Sequence, residues 1–125
     1  MPLVRIALPA GRPAGVADAV SASVQAALVE AFNVPADDLF QVISTDDRIA
    51  RPPAYLGIVY SDELVIIQIT ANEGRTVEQK KALYKAIADK ITESTGHRRE
   101  DIFINLVEVK RENWSFGNGI AQYAS

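Results

Sequence analysis

The chain has 125 residues, 48% of them apolar, with a formal net charge of −3, one histidine and no cysteine. That length fits one domain with a packed core. The evenly mixed charge lacks the basic block or basic–aromatic stripe of a nucleic-acid binder, and the missing thiols exclude disulfides, thiolate metal sites and a cysteine nucleophile.

The chain opens MPLVRIALPAGR, with Pro2 directly behind Met1. A proline is tolerated at the start of a strand, where no ladder donor is needed. A second reading is chemical. Aminopeptidases remove Met before a small residue, and the chain would then begin with the secondary amine of Pro2. The same segment lacks the basic and apolar regions of a signal peptide, and no apolar run approaches the ~20 residues of a membrane span. The expectation is a cytoplasmic protein that works without metal, cofactor, nucleic acid or membrane.

Residues 3–8, LVRIAL, read as a short buried strand. Val16, Val20, Val24, Leu28 and Phe32 recur every four residues and predict a helix stripe facing a core, stopped near Asn33 and Pro35. A second strand is expected at 40–45, FQVIST. The connection DDRIARPPAYLG reads as irregular, because Pro52-Pro53 cannot join regular structure. A third strand, LVIIQIT, falls at 64–70. The next helix carries Leu83, Ile87 and Ile91, and Thr76 with Gln79 fits a capping box at its start. Its exit, STGHRRED, holds His97, which reads as a solvated loop residue; without partner histidines it is no metal site. FINLVEV, 103–109, is the fourth strand.

The two halves repeat at an offset of 63. Gly11-Arg12 matches Gly74-Arg75, Asp38 matches Asp101, and Phe40 matches Phe103. This divides a single domain, 1–125, into repeats over 2–62 and 65–125. Each repeat is a β-α-β unit, whose parallel strands need a helical crossover. The expected fold is α+β: two such units in tandem, related by a pseudo-twofold, forming a four-stranded mixed sheet with both helices on one face. The other face is left bare although its strands are apolar, which predicts a homo-oligomer.

The pseudo-twofold sets the first and third strands antiparallel at the sheet centre. Pro2 then lies beside the end of the third strand, where Asn72-Glu73-Gly74-Arg75 follows. The second strand enters at the same edge, with Asp38 just ahead of it. An amine, a carboxylate and a guanidinium meet there. The opposite edge has Arg12 and Asp101, but Val65 stands in the place of Pro2. Each residue also has a plainer reading. Asp38 in PADDLF could cap a turn. Arg75 could be a solvated cation at a helix entrance, where it opposes the helix macrodipole unless an anion offsets it.

On these residues the chain resembles the tautomerase superfamily, whose members begin with a catalytic amino-terminal proline. EGRTVEQKKALYKAIADKI is similar to the helix-opening segment of 4-oxalocrotonate tautomerases. Over its whole length, through FNVPADDLFQV and NWSFGNGIAQY, the chain looks closer to the malonate semialdehyde decarboxylase group. The resemblance implies the doubled β-α-β fold, a homotrimer and no cofactor. It implies catalysis by Pro2, Asp38 and Arg75 on a small keto acid bearing a carboxylate, with Asn72, Trp114, Phe116 and Tyr123 binding substrate. The decarboxylase pattern carries two arginines after the third strand; here Asn72 stands in the place of the first and Arg75 is kept. Two chemistries follow. If burial and Arg75 lower its pKa, a neutral Pro2 is a general base for keto–enol tautomerisation. If Pro2 stays charged, Asp38 can activate water for hydration or assist decarboxylation of a β-keto acid. An imine-forming amine and a non-catalytic trimeric binding module are the remaining alternatives.

Overall fold

A computed structural model describes residues 2–124; Met1, and with it any removal of Met1, lies outside the described residues. The chain runs through β1 (Pro2–Pro9), α1 (Val16–Phe32), β2 (Gln41–Asp47), β3 (Ala54–Tyr55), β4 (Ile58–Val59), β5 (Val65–Asn72), α2 (Val77–Thr95) and β6 (Ile102–Val109). Four strands form one sheet in the order β2-β1-β5-β6. The outer pairs are parallel and the central pair, β1 with β5, is antiparallel. This is the expected tandem of β-α-β units. β1 and β5 begin 63 residues apart, have equal length, and alternate buried and less buried positions almost identically.

Both helices cover one face. Ile6, Leu8, Ile67 and Ile69 from the central strands meet Val20, Val24 and Leu28 of α1 and Leu83, Ile87 and Ile91 of α2, all fully buried. The ends of the helices are locally specified. α1 stops where Asn33 takes a left-handed conformation and its N–H returns to Leu28 O. α2 starts with the expected capping box between Thr76 and Gln79 and ends at a left-handed Gly96.

The opposite sheet face has no helix over it among the described residues, but it is not uniformly apolar. Arg5 pairs with Gln68 and Gln68 with Asn105 across it, so a polar row, ending at Val42, crosses between Leu3 and Val107 on one side and Phe103 on the other. Gln68 Nε2 donates to Asn105 Oδ1 at 3.0 Å.

Two expectations are corrected. The connection after β2 contains the β3–β4 hairpin, paired Ala54↔Val59 and Tyr55↔Ile58. Leu56 and Gly57 both have positive φ, the turn geometry that suits a two-residue hairpin. Pro52-Pro53 precede this hairpin rather than prevent it. His97 is also not solvated: it is 7% exposed. The left-handed Gly96 folds it back against Thr95, whose Oγ1 lies 2.8 Å from His97 Nδ1.

Candidate active site

Pro2 is buried at the start of β1, opposite Ala71 of β5. Asn72 is the next residue of β5 and its last. The parallel register sets Val109 of β6 beside Asn72, and Glu73 N–H donates to Val109 O at 2.9 Å. Gly74 then turns the chain at a φ of +122°, a conformation that L side chains rarely adopt. Arg75 follows, immediately ahead of the Thr76 cap.

Arg75 donates from Nη1 to Asn72 O at 3.1 Å and from Nη2 to Phe32 O at 3.4 Å. Its guanidinium lies 4.7 Å from the centre of the Phe32 ring. Phe32 ends α1, so Arg75 rests on the negative pole of one helix while it stands at the positive pole of the other. The macrodipole cost expected from the sequence is thus offset inside the fold. Even so, no carboxylate lies within 4.0 Å of Arg75 among the described residues.

Asp38 ends a turn in which its N–H donates to Pro35 O at 3.0 Å. Gln25 of α1, itself buried, pins this turn: its Nε2 donates to Ala36 O at 3.3 Å and to Asp38 O at 3.2 Å. Two residues on, Phe40 O accepts from Val4 N–H at 3.0 Å, which fixes the turn beside the start of β1. The Asp38 side chain does not cap the turn. Its Oδ1 is buried without a hydrogen-bond partner among the described residues. An acceptor left in that state costs about 1–3 kcal/mol.

The aromatic tail reaches the same edge through Asn72. Trp114 Nε1 donates to Asn72 Oδ1 at 2.7 Å. Trp114 stacks on Phe116 at 5.5 Å, and Phe116 meets Tyr123 edge-on at 5.0 Å. Gln122 closes the loop between them, accepting from Phe116 N–H and donating to Gly117 O, each at 2.9 Å. Asn72 therefore spends its side-chain oxygen on anchoring the tail.

The structure thus gathers Asn72, Arg75, Trp114, Phe116 and Tyr123 through direct contacts and seats Pro2 next to them by strand register. Asp38 comes to the same edge through its turn; no hydrogen bond or ion pair joins it to Arg75 or to Pro2 among the described residues. Beside Asn72 and Arg75 lies a cavity of about 370 Å³, whose wall also includes Glu73, Arg111 and Tyr123. Pro2 and Asp38 do not line it. Sequence reasoning missed Arg111. The signal was the parallel register: a residue two past the end of β6 must fall beside the turn that follows β5. Among the described residues no group of three or more His, Asp or Glu could hold a metal ion, and no helix is long and apolar enough to cross a membrane.

The opposite end of the sheet is more fully paired, although His97 Nε2 there is buried without a hydrogen-bond partner among the described residues. Asp101 is fully buried and accepts from Ser61 N–H at 2.8 Å, from Ser61 Oγ at 2.5 Å and from Arg98 Nε at 3.1 Å. Burial alone would raise its pKa, but these donors outweigh burial and hold the carboxyl below its ordinary value. Arg12 is ion-paired with Glu63. Burial holds His97 below the ordinary histidine value, with Asp101 pulling the other way and Arg12 assisting.

The chain belongs to the tautomerase family. The model of that family, described as tautomerase enzyme, matches residues 40–117. The probable tautomerase YusQ of Bacillus subtilis strain 168 is 44% identical over 124 residues, 98% of each chain. Among solved structures, the FG41 malonate semialdehyde decarboxylase inhibited by 3-bromopropiolate superposes with a TM-score of 0.87 at 38% identity, covering 97% of this chain and 93% of the other. A second malonate semialdehyde decarboxylase, solved as wild type, as a variant with its first-position proline changed to alanine, and inactivated, gives 0.86 at 28% identity over 97% and 95%. The protein is accordingly an enzyme of the tautomerase superfamily with the tautomerase fold.

Proposed function

We propose that the chain is a single catalytic domain that uses the amine of Pro2, freed of Met1, on a small keto acid bearing a carboxylate. Its reaction is decarboxylation or hydration of the malonate semialdehyde type, with keto–enol tautomerase activity beside it. It works in the cytoplasm without a cofactor. The observation that carries this reading is the pair of unsatisfied groups at the Pro2 edge: a guanidinium without a carboxylate and a carboxylate with a buried, unpartnered oxygen.

The roles follow from charge. Arg75 holds the substrate carboxylate by charge-assisted hydrogen bonds. A protonated Pro2 donates to the carbonyl oxygen of a β-keto acid. The bond to the carboxylate carbon then breaks, its electron pair passes toward that oxygen, and carbon dioxide leaves. The resulting enol takes a proton at carbon and loses one from oxygen. In hydration, Asp38 accepts a proton from the water that adds to the carbonyl. In tautomerisation, a neutral Pro2 accepts the proton from carbon and returns one to oxygen. Trp114, Phe116 and Tyr123 form an apolar wall, and desolvation by such a wall favours the neutral amine. Asn72 in the place of an arginine favours a second reading, a plain 4-oxalocrotonate-type tautomerase. The bare sheet face with its polar row supports a homotrimer, in which Gln68 and Asn105 would add directional contacts to the apolar ones.

The test compares the native protein, a form that retains Met1 and Pro2→Ala, each checked by intact mass and sedimentation equilibrium. Malonate semialdehyde loss and ketonisation of an aryl enolpyruvate are measured. Native protein should be a trimer that lacks Met1 and turns over at least one substrate. An acylated proline nitrogen is an amide without basicity, so the Met1 form should be folded and inactive. Pro2→Ala should keep weak activity through its primary amine. A Met1-retaining form as active as the native one would replace this reading by that of a binding module. A monomer at micromolar concentration would remove the trimer.

A further inference from the structure

We propose that Arg111 is the second substrate-anchoring cation of this site, so that the cavity takes a short acid with an oxygen-bearing group at each end. This rests on the reading of the Pro2 edge as the active site. Position is the first argument. β6 runs parallel to β5 and ends with Val109 beside Asn72, so the turn that carries Arg111 must pass the Asn72–Arg75 segment. Both arginines line the one cavity.

Charge is the second argument. Among the described residues, neither Arg111 nor Arg75 has a carboxylate within 4.0 Å. Glu73 lines the cavity without pairing to either. Glu108, close by in sequence, is taken by Lys80 at 2.7 Å. The entrance of the 19-residue α2 adds its positive pole. Two guanidiniums against the single carboxylate of Glu73 leave the cavity wall net positive, which favours an anionic occupant.

The third argument is orientation. The Arg111 guanidinium lies 4.8 Å from the centre of the Tyr123 ring. Stacking on an aromatic face holds the planar fork and leaves its edge donors free for a carboxylate. Asn72, by contrast, spends its oxygen on Trp114 and carries no charge. Tyr123 is then a positioning residue for Arg111. The cavity, about 370 Å³, has room for a short acid: its carboxylate is held by one guanidinium, its second carboxylate or carbonyl oxygen by the other.

Binding tests this without turnover. Calorimetry would compare malonate with propionate for the native protein, Arg111→Ala, Arg111→Lys, Arg75→Ala and, as a control for net charge, Lys81→Gln, an exposed lysine of α2 with no ion pair among the described residues. Losing a charged contact is worth roughly 10- to 100-fold in affinity. Native protein and Lys81→Gln should prefer malonate by at least about tenfold. Arg111→Ala should bind both acids alike, with its melting temperature unchanged because the side chain is exposed. Arg111→Lys should recover only part of the preference, since an ammonium cannot stack as a planar fork. Arg75→Ala should weaken both acids. Equal binding of the two acids by the native protein, or a preference that survives in Arg111→Ala, would overturn the proposal. Failure of the Pro2 experiment is distinguishable from these outcomes: it would leave a cavity that binds a two-ended acid without turning it over.

Discussion

Asp101 and Asp38 occupy the same place in the repeat, 63 residues apart, at opposite ends of the sheet. Around Asp101 every demand is met: two donors from Ser61, one from Arg98, and a neighbouring Arg12 paired with Glu63. Around Asp38 they are not. A carboxylate oxygen is buried without a partner, and the matching Arg75 touches only backbone carbonyls and an aromatic face. The same β-α-β unit thus holds a paired carboxylate at one end and an unpaired one at the other, while His97 Nε2 and Thr92 Oγ1 are the further buried polar atoms without a partner among the described residues. Polar groups left unsatisfied at a fixed place in a well-packed fold carry a cost that stability alone does not explain, and such features concentrate at functional sites. Pro2 and its counterpart Val65 are both buried, but they differ in kind, a proline at one end and a core valine at the other.

The largest separation between the ends is expected from the arginines. Arg75→Ala should lower kcat/KM on a carboxylate substrate roughly 10- to 150-fold, from the loss of a charged contact of about 1.5–3 kcal/mol. Arg12→Ala should leave kcat/KM within a factor of about three, because it removes only a partly exposed ion pair worth about 0–1 kcal/mol. Steady-state kinetics of the two variants side by side checks this, and equal losses would break the assignment of the working end.

A smaller effect sharpens the contrast from the structural end. The folded pKa of His97 is depressed, so between that value and the ordinary one near 6.5 the unfolded chain binds more protons. Stability must therefore fall as pH drops below about 6.5. The depressed pKa of Asp101 acts in the same direction at lower pH: its contribution is present above the unfolded value and is lost as pH falls through the folded one. His97→Gln should flatten the stability curve between pH 7 and 5, and leave the pH dependence of kcat unaltered. Urea melts across that range measure the first, and initial rates the second. A shifted kcat profile would mean that the two ends are coupled.

The fold was legible because its signals are periodic and doubled. The four-residue stripes of α1 and α2, the capping box at Thr76 and the 63-residue offset all describe the backbone that formed. The hairpin at β3–β4 escaped because two-residue strands have no period and its turn depends on Leu56, an unusual residue at positive φ. His97 escaped because polar neighbours in sequence do not reveal that a left-handed Gly96 folds it inward. At the Pro2 edge, the pairing of Pro2 with Ala71 followed from topology alone, as did the placement of Asp38 and Arg75 at that edge. Arg111 lay beyond the last strand, where no pattern marks a residue, and the contacts of Trp114 with Asn72 and of Arg75 with the end of α1 are facts of side-chain packing.

The contrast between the ends is tested most directly by making one substitution twice. Asp38→Asn and Asp101→Asn change the same residue at the two repeat positions, and each is measured for kcat/KM and for unfolding free energy. Asp101→Asn should lose about 1–3 kcal/mol of stability, since Ser61 and Arg98 then face an amide in place of an acceptor pair, with kcat/KM per folded molecule unchanged. Asp38→Asn should keep its stability, or gain, and lose most of its hydratase or decarboxylase activity. If Asp38→Asn is as active as the native protein, or if the two variants lose stability alike, the division of this fold into a working end and a structural end is wrong.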